Sequence, residues 1–461
     1  MDRTTQKTKS LDMTEGSIVR LLITFSIPLL MGNLFQQLYN TVDSLVVGNF
    51  VGKEALAAVG STTSIINTLI NFFNGLSIGA SVIISRYFGA HDDEKLHLAV
   101  ETTMALTFVC GIFCTFLGIS TAPALLRFMD TPDDVFTEAS VYLRIYFSGV
   151  AGLLIYNMGS GILRAVGDTR RPLYFLIFSS VLNIILDLLF VIAFGMGIAG
   201  VAYATIASQF VSAILIMILL VKSTENYRVS VRDLCFDRFM MQQIFTIGCP
   251  VGIQQAVTAF SNVYVQSYIN AFGSGCMAGW SSYTKIDSFL LLPLQSLSQA
   301  GTTFASQNIG AGNLKRVKAG TRTAVLLSSG IIFVFAVILW IFAPQMVALF
   351  NQDAEVIFYG VLFLRLCVFM VVICCPAQIY TGTLRGAGDA KTPMFIMLFS
   401  YVVFRQIYLF AAKQLAHNPY TIGFGYPAGW IVCTILMTLF YKFSGWESRV
   451  ENISAKSGNN S

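Results

Sequence analysis

Long runs of apolar residues recur along almost all of this 461-residue chain and limit its possible folds more than any other feature. A helix needs about 20 apolar residues to cross about 30 Å of hydrocarbon. Only 11% of the residues are charged, whereas soluble domains carry roughly 25%. The pattern predicts an all-α integral membrane protein with twelve transmembrane helices, at about 18–47, 55–85, 97–120, 135–163, 172–194, 198–221, 242–271, 277–306, 320–343, 355–383, 393–413 and 422–442.

Basic residues are distributed unevenly among the segments that join these spans. If the N-terminus is cytoplasmic, 22 of the 29 Lys and Arg residues fall on the cytoplasmic side, three on the other side and four within spans. Basic residues favour cytoplasmic loops. We therefore expect a multi-pass protein of the cell inner (plasma) membrane with both termini cytoplasmic. The polar ends, 1–16 and 446–461, are expected to be loose cytoplasmic tails.

The two halves of the sequence repeat each other. GILRAVGDTRRP at 161–172 matches GTLRGAGDAKTP at 382–393, and SRYFGA at 85–90 matches SQNIGA at 306–311, both with a shift of 221 residues. Six spans per repeat give the two halves the same orientation, an arrangement in which transporters commonly place the substrate site between the halves. We expect two pseudo-symmetric six-helix bundles joined by a cytoplasmic linker. The predicted bounds are 17–221 and 242–445 for the bundles and 222–241 for the linker.

Three of the 24 acidic residues are predicted at membrane depth: Asp43 in the first span, Asp187 in the fifth and Asp287 in the eighth. A charge there costs several kcal/mol, so such residues are candidates for a functional site. Asp287 has Lys285 two residues away and Arg405 in the eleventh span. The sequence leaves open whether Asp287 forms a structural ion pair or a second site.

Polar residues accompany the other two acids. Asn183 precedes Asp187 by one helical turn and shares its face, and the sixth span contributes Thr205. Two carboxylates, an amide and a hydroxyl suit Na⁺, and they suit H⁺ equally, since burial and a second carboxylate both disfavour the charged form of a carboxyl group. We predict a cation-coupling site, which is a metal site if the ion is Na⁺, at Asp43, Asn183, Asp187 and Thr205. The predicted lining of the substrate cavity is Gln36, Tyr39, Tyr142, Tyr146, Asn157, Gln209 and Asp287.

The repeated LRxxGD motifs are interpreted as turn chemistry, with an Arg at a helix end, a Gly that stops the helix and an Asp that caps the next one. Catalysis has little support, because the sequence has no metal-ligand cluster, no nucleophile–base spacing and no phosphate loop. We expect a protein that is not an enzyme and has no cofactor beyond its coupling ion. We also expect a monomer in the lipid bilayer that handles small organic substrates and no nucleic acid, since its basic residues are spread thinly.

Several stretches resemble the multidrug and toxic compound extrusion (MATE) family. They are NTVDSLVVGNFVGKEALAAVG at 40–60, LRAVGDTRRP at 163–172, LLPLQSLSQA at 291–300, SQNIGAGN at 306–313 and LRGAGDAKTP at 384–393. The resemblance covers both halves and implies a V-shaped central cavity between the two bundles. It also implies secondary antiport, in which entry of H⁺ or Na⁺ drives export of cationic or amphipathic organic compounds.

Within that family the sequence is most similar to the DinF-like branch. The resemblance implies a cation site in the N-terminal bundle, at positions matched here by Asp43, Asn183, Asp187 and Thr205. The NorM-like branch also uses acids on the seventh and tenth helices, but this sequence has none on the seventh and carries CysCysPro at 374–376 on the tenth. An alternative is a flippase or exporter of lipid-linked or polyanionic substrates in the same superfamily.

Overall fold

The computed structural model describes residues 11–129, 131–230, 232–415, 418–448 and 450. Most of the two predicted tails lies outside the described residues. The end of the N-terminal tail is described and is not loose, because Met13 is fully buried and its backbone N–H donates a 2.9 Å hydrogen bond to Oε1 of Gln307. The expectation of a loose tail is therefore wrong for the segment 11–16, in which the carbonyls of Met13 and Gly16 also accept hydrogen bonds from side chains of the second half.

The described residues form helices and no strand. A bilayer offers no hydrogen-bond partners to the backbone, so an open chain can cross it only as helices. The helices are α1 (Ile18–Val46), α2 (Lys53–Gly89), α3 (Asp93–Phe128), α4 (Asp133–Ser148), α5 (Val150–Ala165), α6 (Arg170–Leu188), α7 (Gly197–Lys222), α8 (Arg238–Asn270), α9 (Ser274–Gly310), α10 (Leu314–Ile341), α11 (Ala343–Ala348), α12 (Ala354–Cys367), α13 (Met370–Gly386), α14 (Lys391–Leu398), α15 (Arg405–Leu415), α16 (Pro419–Gly423) and α17 (Gly425–Phe443). Three π-helical segments, Val47–Val51, Leu189–Ala193 and Phe399–Phe404, follow α1, α6 and α14.

These helices correspond to twelve crossings of the membrane. Within the described residues, nine helical stretches are long and apolar enough to cross a bilayer, and two further crossings consist of helix pairs bent by 47° (α4 with α5) and 52° (α12 with α13). The twelfth is α9, which has 37 residues but a more polar sequence. The predicted all-α fold with twelve transmembrane helices is confirmed.

The sequence repeat is also a repeat of structure. Oγ of Ser77 donates to the carbonyl of Asn157 at 3.0 Å, and Ser298 donates to the carbonyl of Gln378 at 2.8 Å. Each donor and each acceptor of the second bond lies 221 residues after its counterpart in the first. The two bent pairs show the same shift, since α4 begins at 133 and α12 at 354. The contact of α2 with α5 in the first half is therefore repeated by the contact of α9 with α13 in the second half.

The first helix of each half packs against the other half. Leu22, Phe25 and Leu29 of α1 belong to the apolar core that α9, α10, α12 and α13 form. In turn, Ile244 and Val251 of α8 belong to a core formed with α2, α3 and α5. This exchange joins the halves along one side of the molecule. We call it the basic side, because it holds the loops at 164–171 and 385–391 and the N-terminal segment 11–16.

Glycine allows the closest approach between the halves on this side. Gly75 and Gly79 of α2 face Gly248 and Gly252 of α8, and a Cβ atom added to Gly79 would lie 2.6 Å from the carbonyl oxygen of Ile244. Helices with small residues four positions apart can bring their backbones into contact. Gly60, nearer the opposite end of α2, has no such neighbour within 4 Å. The cavity between the halves is therefore V-shaped and closed at the basic side.

Candidate functional site

Two carboxyl groups from different helices meet in the first half of the chain. Asp43 lies near the end of α1 and Asp187 near the end of α6, and the two carboxyl groups are close enough to interact electrostatically. Asp187 has no solvent exposure, and Asn183, one turn earlier, is 1% exposed. Ionised carboxylates only accept hydrogen bonds, so two of them in this position need a proton or a cation between them.

Buried polar atoms without partners are concentrated at the same place. Within the described residues, Oδ1 of Asp43, both carboxylate oxygens of Asp187 and both amide atoms of Asn183 are buried and make no hydrogen bond. Thr205 of α7 is 6% exposed, and its hydroxyl donates to the carbonyl of Val201 at 3.0 Å. Most buried polar atoms in proteins are hydrogen-bonded. The unpartnered oxygens therefore fit a small hard cation or a proton as their missing partner.

The two acid-bearing helices share a backbone feature beside the acids. The π-helical segment Val47–Val51 begins four residues after Asp43, and Leu189–Ala193 begins two residues after Asp187. A π turn inserts a residue into a helix and is frequent at functional sites. It leaves the backbone next to the pair less regular than in the rest of α1 and α6.

A cavity of about 680 Å³ lies between the halves. Its wall consists mainly of amide and hydroxyl side chains, most of them from α1, α2, α6, α7, α8 and α9, together with apolar residues. Of the predicted site residues, the structure places Gln36, Tyr39, Asn157, Asn183, Thr205 and Gln209 on this wall. The acid pair lies behind the wall, where Tyr39 is close to both carboxyl groups.

Three residues predicted to line the cavity lie elsewhere. Tyr142 and Tyr146 are 7% and 4% exposed, and their rings stack on each other with centroids 6.4 Å apart, behind the wall and beside the acid pair. Helix α4 brings both rings to the same face because they are one turn apart. Asp287 is also not among the wall residues. The reason in each case is helix rotation, which the sequence pattern does not define.

Asp287 has no basic partner within 4.0 Å among the described residues. Lys285 instead lies over the ring of Phe350, 5.6 Å from its centroid. Arg405 donates to Oγ of Ser261 at 2.7 Å and to Oδ1 of Asn262 at 2.9 Å. Oδ1 of Asp287 is buried without a hydrogen-bond partner. The structural ion pair considered from the sequence is therefore not formed.

Two wall residues were interpreted differently from the sequence. Arg164 and Arg385 of the LRxxGD motifs line the cavity. The acids of these motifs do serve turn chemistry, since Asp168 accepts from the backbone N–H groups of Arg170 and Arg171, each at 3.2 Å. A position at the end of a helix indicates a turn, but only the fold brings both arginines to one cavity.

Comparison with known proteins gives consistent matches over both halves. The sequence model of the MatE family matches residues 28–189 and 250–409. The chain is 30% identical over 441 residues to the probable multidrug resistance protein YpnP of Bacillus subtilis, covering 95% of this chain and 98% of that protein. It is 25% identical to the probable multidrug resistance protein NorM of Thermotoga maritima, covering 93% of each.

Solved structures match the fold over almost the whole length of the chain. An outward-facing multidrug resistance MATE family transporter of the MOP superfamily superimposes with a TM-score of 0.89 and 25% sequence identity, covering 97% of this chain and 99% of that one. A MATE protein crystallised in a bent conformation gives a TM-score of 0.90, also at 25% identity.

Proposed function

The chain belongs to the MatE (multidrug and toxic compound extrusion) family of multidrug efflux antiporters, and from this premise we propose that Asp43, Asn183, Asp187 and Thr205 bind its coupling cation. The observation that carries the proposal is the cluster of buried carboxyl and amide atoms of Asp43, Asn183 and Asp187 that make no hydrogen bond within the described residues. The mutual repulsion of the two carboxylates when ionised gives the pair a strong affinity for a proton or for Na⁺. The position of the site in the first half agrees with the DinF-like branch.

Helix α1 connects the cation site to the cavity. It carries Asp43 behind the wall and Gln36 and Tyr39 on the wall. When a cation neutralises the acid pair, the repulsion between the ionised carboxylates of Asp43 and Asp187 disappears and α1 repacks. Repacking of α1 changes the wall and weakens binding of the exported compound. The two ligands are then coupled because each has different affinities for the two arrangements of α1.

We place the basic side in the cytoplasm, with both termini there, because the sequence assigns 22 of the 29 basic residues to the segments on that side of the membrane. The cavity then opens to the outside in this structure. H⁺ or Na⁺ enters from outside, the compound leaves, and rocking of the half at 17–221 against the half at 242–445 releases the cation into the cytoplasm. The oxygen donors serve either ion, and an imposed gradient distinguishes the two.

The experiment is dye efflux from proteoliposomes that contain the purified protein, driven in turn by an imposed Na⁺ gradient and an imposed pH gradient. We expect one gradient to drive efflux in the wild type. Asp43→Asn and Asp187→Asn should each abolish gradient-driven efflux. A neutral amide can neither take up and release a proton nor supply the negative charge that binds Na⁺. In cells that lack other efflux pumps, both variants should lose drug resistance at normal expression.

Asp133→Asn is the matched control, since Asp133 is an exposed acid at the start of α4. It should export at the wild-type rate. If Asp43→Asn or Asp187→Asn still exports with either gradient, the acid pair does not bind the coupling cation and the proposal is wrong.

The alternative, transport of a lipid-linked or polyanionic substrate, requires a strongly cationic cavity. Arg164 and Arg385 are the only Lys, Arg, Asp or Glu residues on the wall that the described residues form. Uncharged amides and hydroxyls interleaved with apolar side chains bind amphipathic organic compounds better than polyanions. We therefore propose amphipathic compounds as the principal substrates.

A further inference from the structure

Arg164 and Arg385 occupy equivalent positions in the two repeats, 221 residues apart. Arg164 lies in the last turn of α5 and Arg385 in the last turn of α13. They are the only charged side chains on the described part of the cavity wall. A pair of like charges in the central cavity of an exporter requires an explanation that turn chemistry does not provide.

The fold brings both arginines to the basic-side end of the cavity. The carbonyl of Ala165, next to Arg164, accepts a hydrogen bond from Nε2 of Gln307 at 2.9 Å. The carbonyl of Gly386, next to Arg385, accepts one from Oγ of Ser306 at 3.3 Å. Since Ser306 and Gln307 are neighbours on α9, the ends of α5 and α13 converge there.

No carboxylate neutralises this pair within the described residues. Arg385 donates from Nη2 to Oε1 of Gln254 at 2.6 Å, whereas its Nε is buried without a partner. The Arg164 guanidinium makes no hydrogen bond to a described side chain, and its nitrogen atoms are not among the buried ones. They are therefore open to the cavity.

The surroundings add positive charge. Arg86 lies against Gly388, in the loop that follows Arg385, and its Nε and Nη2 are buried without hydrogen bonds in the described structure. Asp389, the acid of that loop, does not form an ion pair with these arginines. Its carboxylate instead accepts hydrogen bonds from the backbone N–H of Thr392 at 3.0 Å and from the Thr392 hydroxyl at 2.9 Å. Charges in a cavity with low-dielectric walls focus the field and attract ions of opposite sign.

We propose that Arg164 and Arg385 form a binding site for an acidic group, a carboxylate or a phosphate, of the transported molecule. Guanidinium groups bind such anions through paired hydrogen bonds, and the amides and hydroxyls of the wall bind the rest of the molecule. The exporter thus takes amphipathic acids and zwitterions as well as neutral compounds. This proposal rests on the proposed function in one respect, that the cavity is where the exported molecule binds.

The test compares two dyes that differ only in the acidic group. Rhodamine 110 carries a free carboxylate, and rhodamine 123 is its methyl ester. Binding of each to the purified full-length protein in phosphatidylcholine nanodiscs is measured by fluorescence polarisation. We expect Arg164→Gln and Arg385→Gln each to weaken binding of the acid by about tenfold and binding of the ester by less than about twofold. Arg164→Lys and Arg385→Lys should recover part of the affinity for the acid.

Arg365→Gln is the matched control. Arg365 is also repeated in the first half, as Arg144, but it is exposed and lies over the ring of Trp340, 5.0 Å from its centroid and away from the cavity wall. It should leave both affinities unchanged. Size-exclusion profiles and thermal unfolding confirm that each variant is folded.

An unchanged ratio of acid to ester affinity in both folded glutamine variants would overturn the anion site. That result is distinguishable from failure of the proposed function, in which Asp43→Asn and Asp187→Asn still export. Nanodiscs that contain phosphatidylglycerol identify the source of the acidic group. If this lipid weakens binding of rhodamine 110 in the wild type but not in Arg385→Gln, the site binds a lipid phosphate; without that effect, it binds the acid of a soluble substrate.

Discussion

Nε2 of Gln307 donates a hydrogen bond of 2.9 Å to the backbone carbonyl of Ala165, and this bond joins the two halves of the protein at the basic side. The same amide accepts a 2.9 Å hydrogen bond from the backbone N–H of Met13. Gln307 is fully buried. One side chain therefore connects the N-terminal segment, the first half and the second half, and it can do so only while the cavity is closed at this side.

Gln307→Ala is expected to favour opening of the basic side. The change leaves the Met13 N–H without its partner in the closed state, at a cost of about 1–3 kcal/mol, and it costs nothing in a state where the halves have separated. Hydrogen exchange followed by mass spectrometry should therefore be faster in residues 11–29. Gln345→Ala, at an exposed glutamine of α11, should leave exchange in this segment at the wild-type rate. Equal protection in Gln307→Ala and wild type would contradict the connecting role.

Asn183→Ala is expected to raise the cation concentration for half-maximal efflux by about tenfold or more, an effect typical of losing a group that holds or orients a bound ion. Both amide atoms of Asn183 are buried without a partner, so its amide oxygen is available to bind the cation. Efflux rates are measured over a series of Na⁺ concentrations or pH values. Asn157→Ala, at an amide on the cavity wall, should change the affinity for dye and leave the cation dependence unaltered. A wild-type cation dependence of efflux in Asn183→Ala would show that Asn183 is not part of the cation site.

Gly75→Ala is expected to destabilise the state described here. A Cβ atom at this position would overlap the backbone N and Cα of Gly252, and forced overpacking typically costs about 1–3 kcal/mol. The melting temperature should fall and efflux should slow. Gly60→Ala is the control in the same helix, because a Cβ there meets nothing within 4 Å. If the two variants melt at the same temperature, α2 and α8 do not approach as closely as described.

Asp287 and Lys285 are expected to be energetically independent. A double-mutant cycle of Asp287→Asn and Lys285→Gln, followed by thermal unfolding, should give a coupling below about 0.5 kcal/mol, the value for residues that do not interact. A buried ion pair would instead cost about 3–5 kcal/mol when one partner is removed. Coupling above about 1 kcal/mol would show that the pair forms.

The acids could be found from the sequence because an ionisable residue in an apolar run is conspicuous. Asp43 and Asp187 are 144 positions apart, and the sequence predicted one site for both because they are acids at membrane depth in spans of the same half. The proximity of their carboxyl groups depends on how α1 and α6 pack. The GxxxG spacings at 75–79 and 248–252 were a further available signal, and they mark the α2–α8 contact.

The positions of the two cavity arginines could not be predicted from their local sequence motifs. Arg164 and Arg385 sit in motifs whose Gly and Asp have an adequate local explanation as a stop and a cap. Nothing within either motif indicates that the adjoining helix ends converge on α9. The same limit explains Tyr142 and Tyr146, since hydropathy gives the depth of a residue in the membrane but not the rotation of its helix.

The sequence by itself determined the helical fold, the twelve crossings and the duplication, because the cost of placing polar groups in hydrocarbon acts on each segment separately. It also identified the acids that this cost makes exceptional. Only the tertiary structure decided that the first helix of each half packs against the other half, where the cavity closes and which charged residues line it. These features depend on contacts such as that of Gln307 with Ala165, 142 residues apart, and such contacts are set by packing between helices and not by the composition of any one of them.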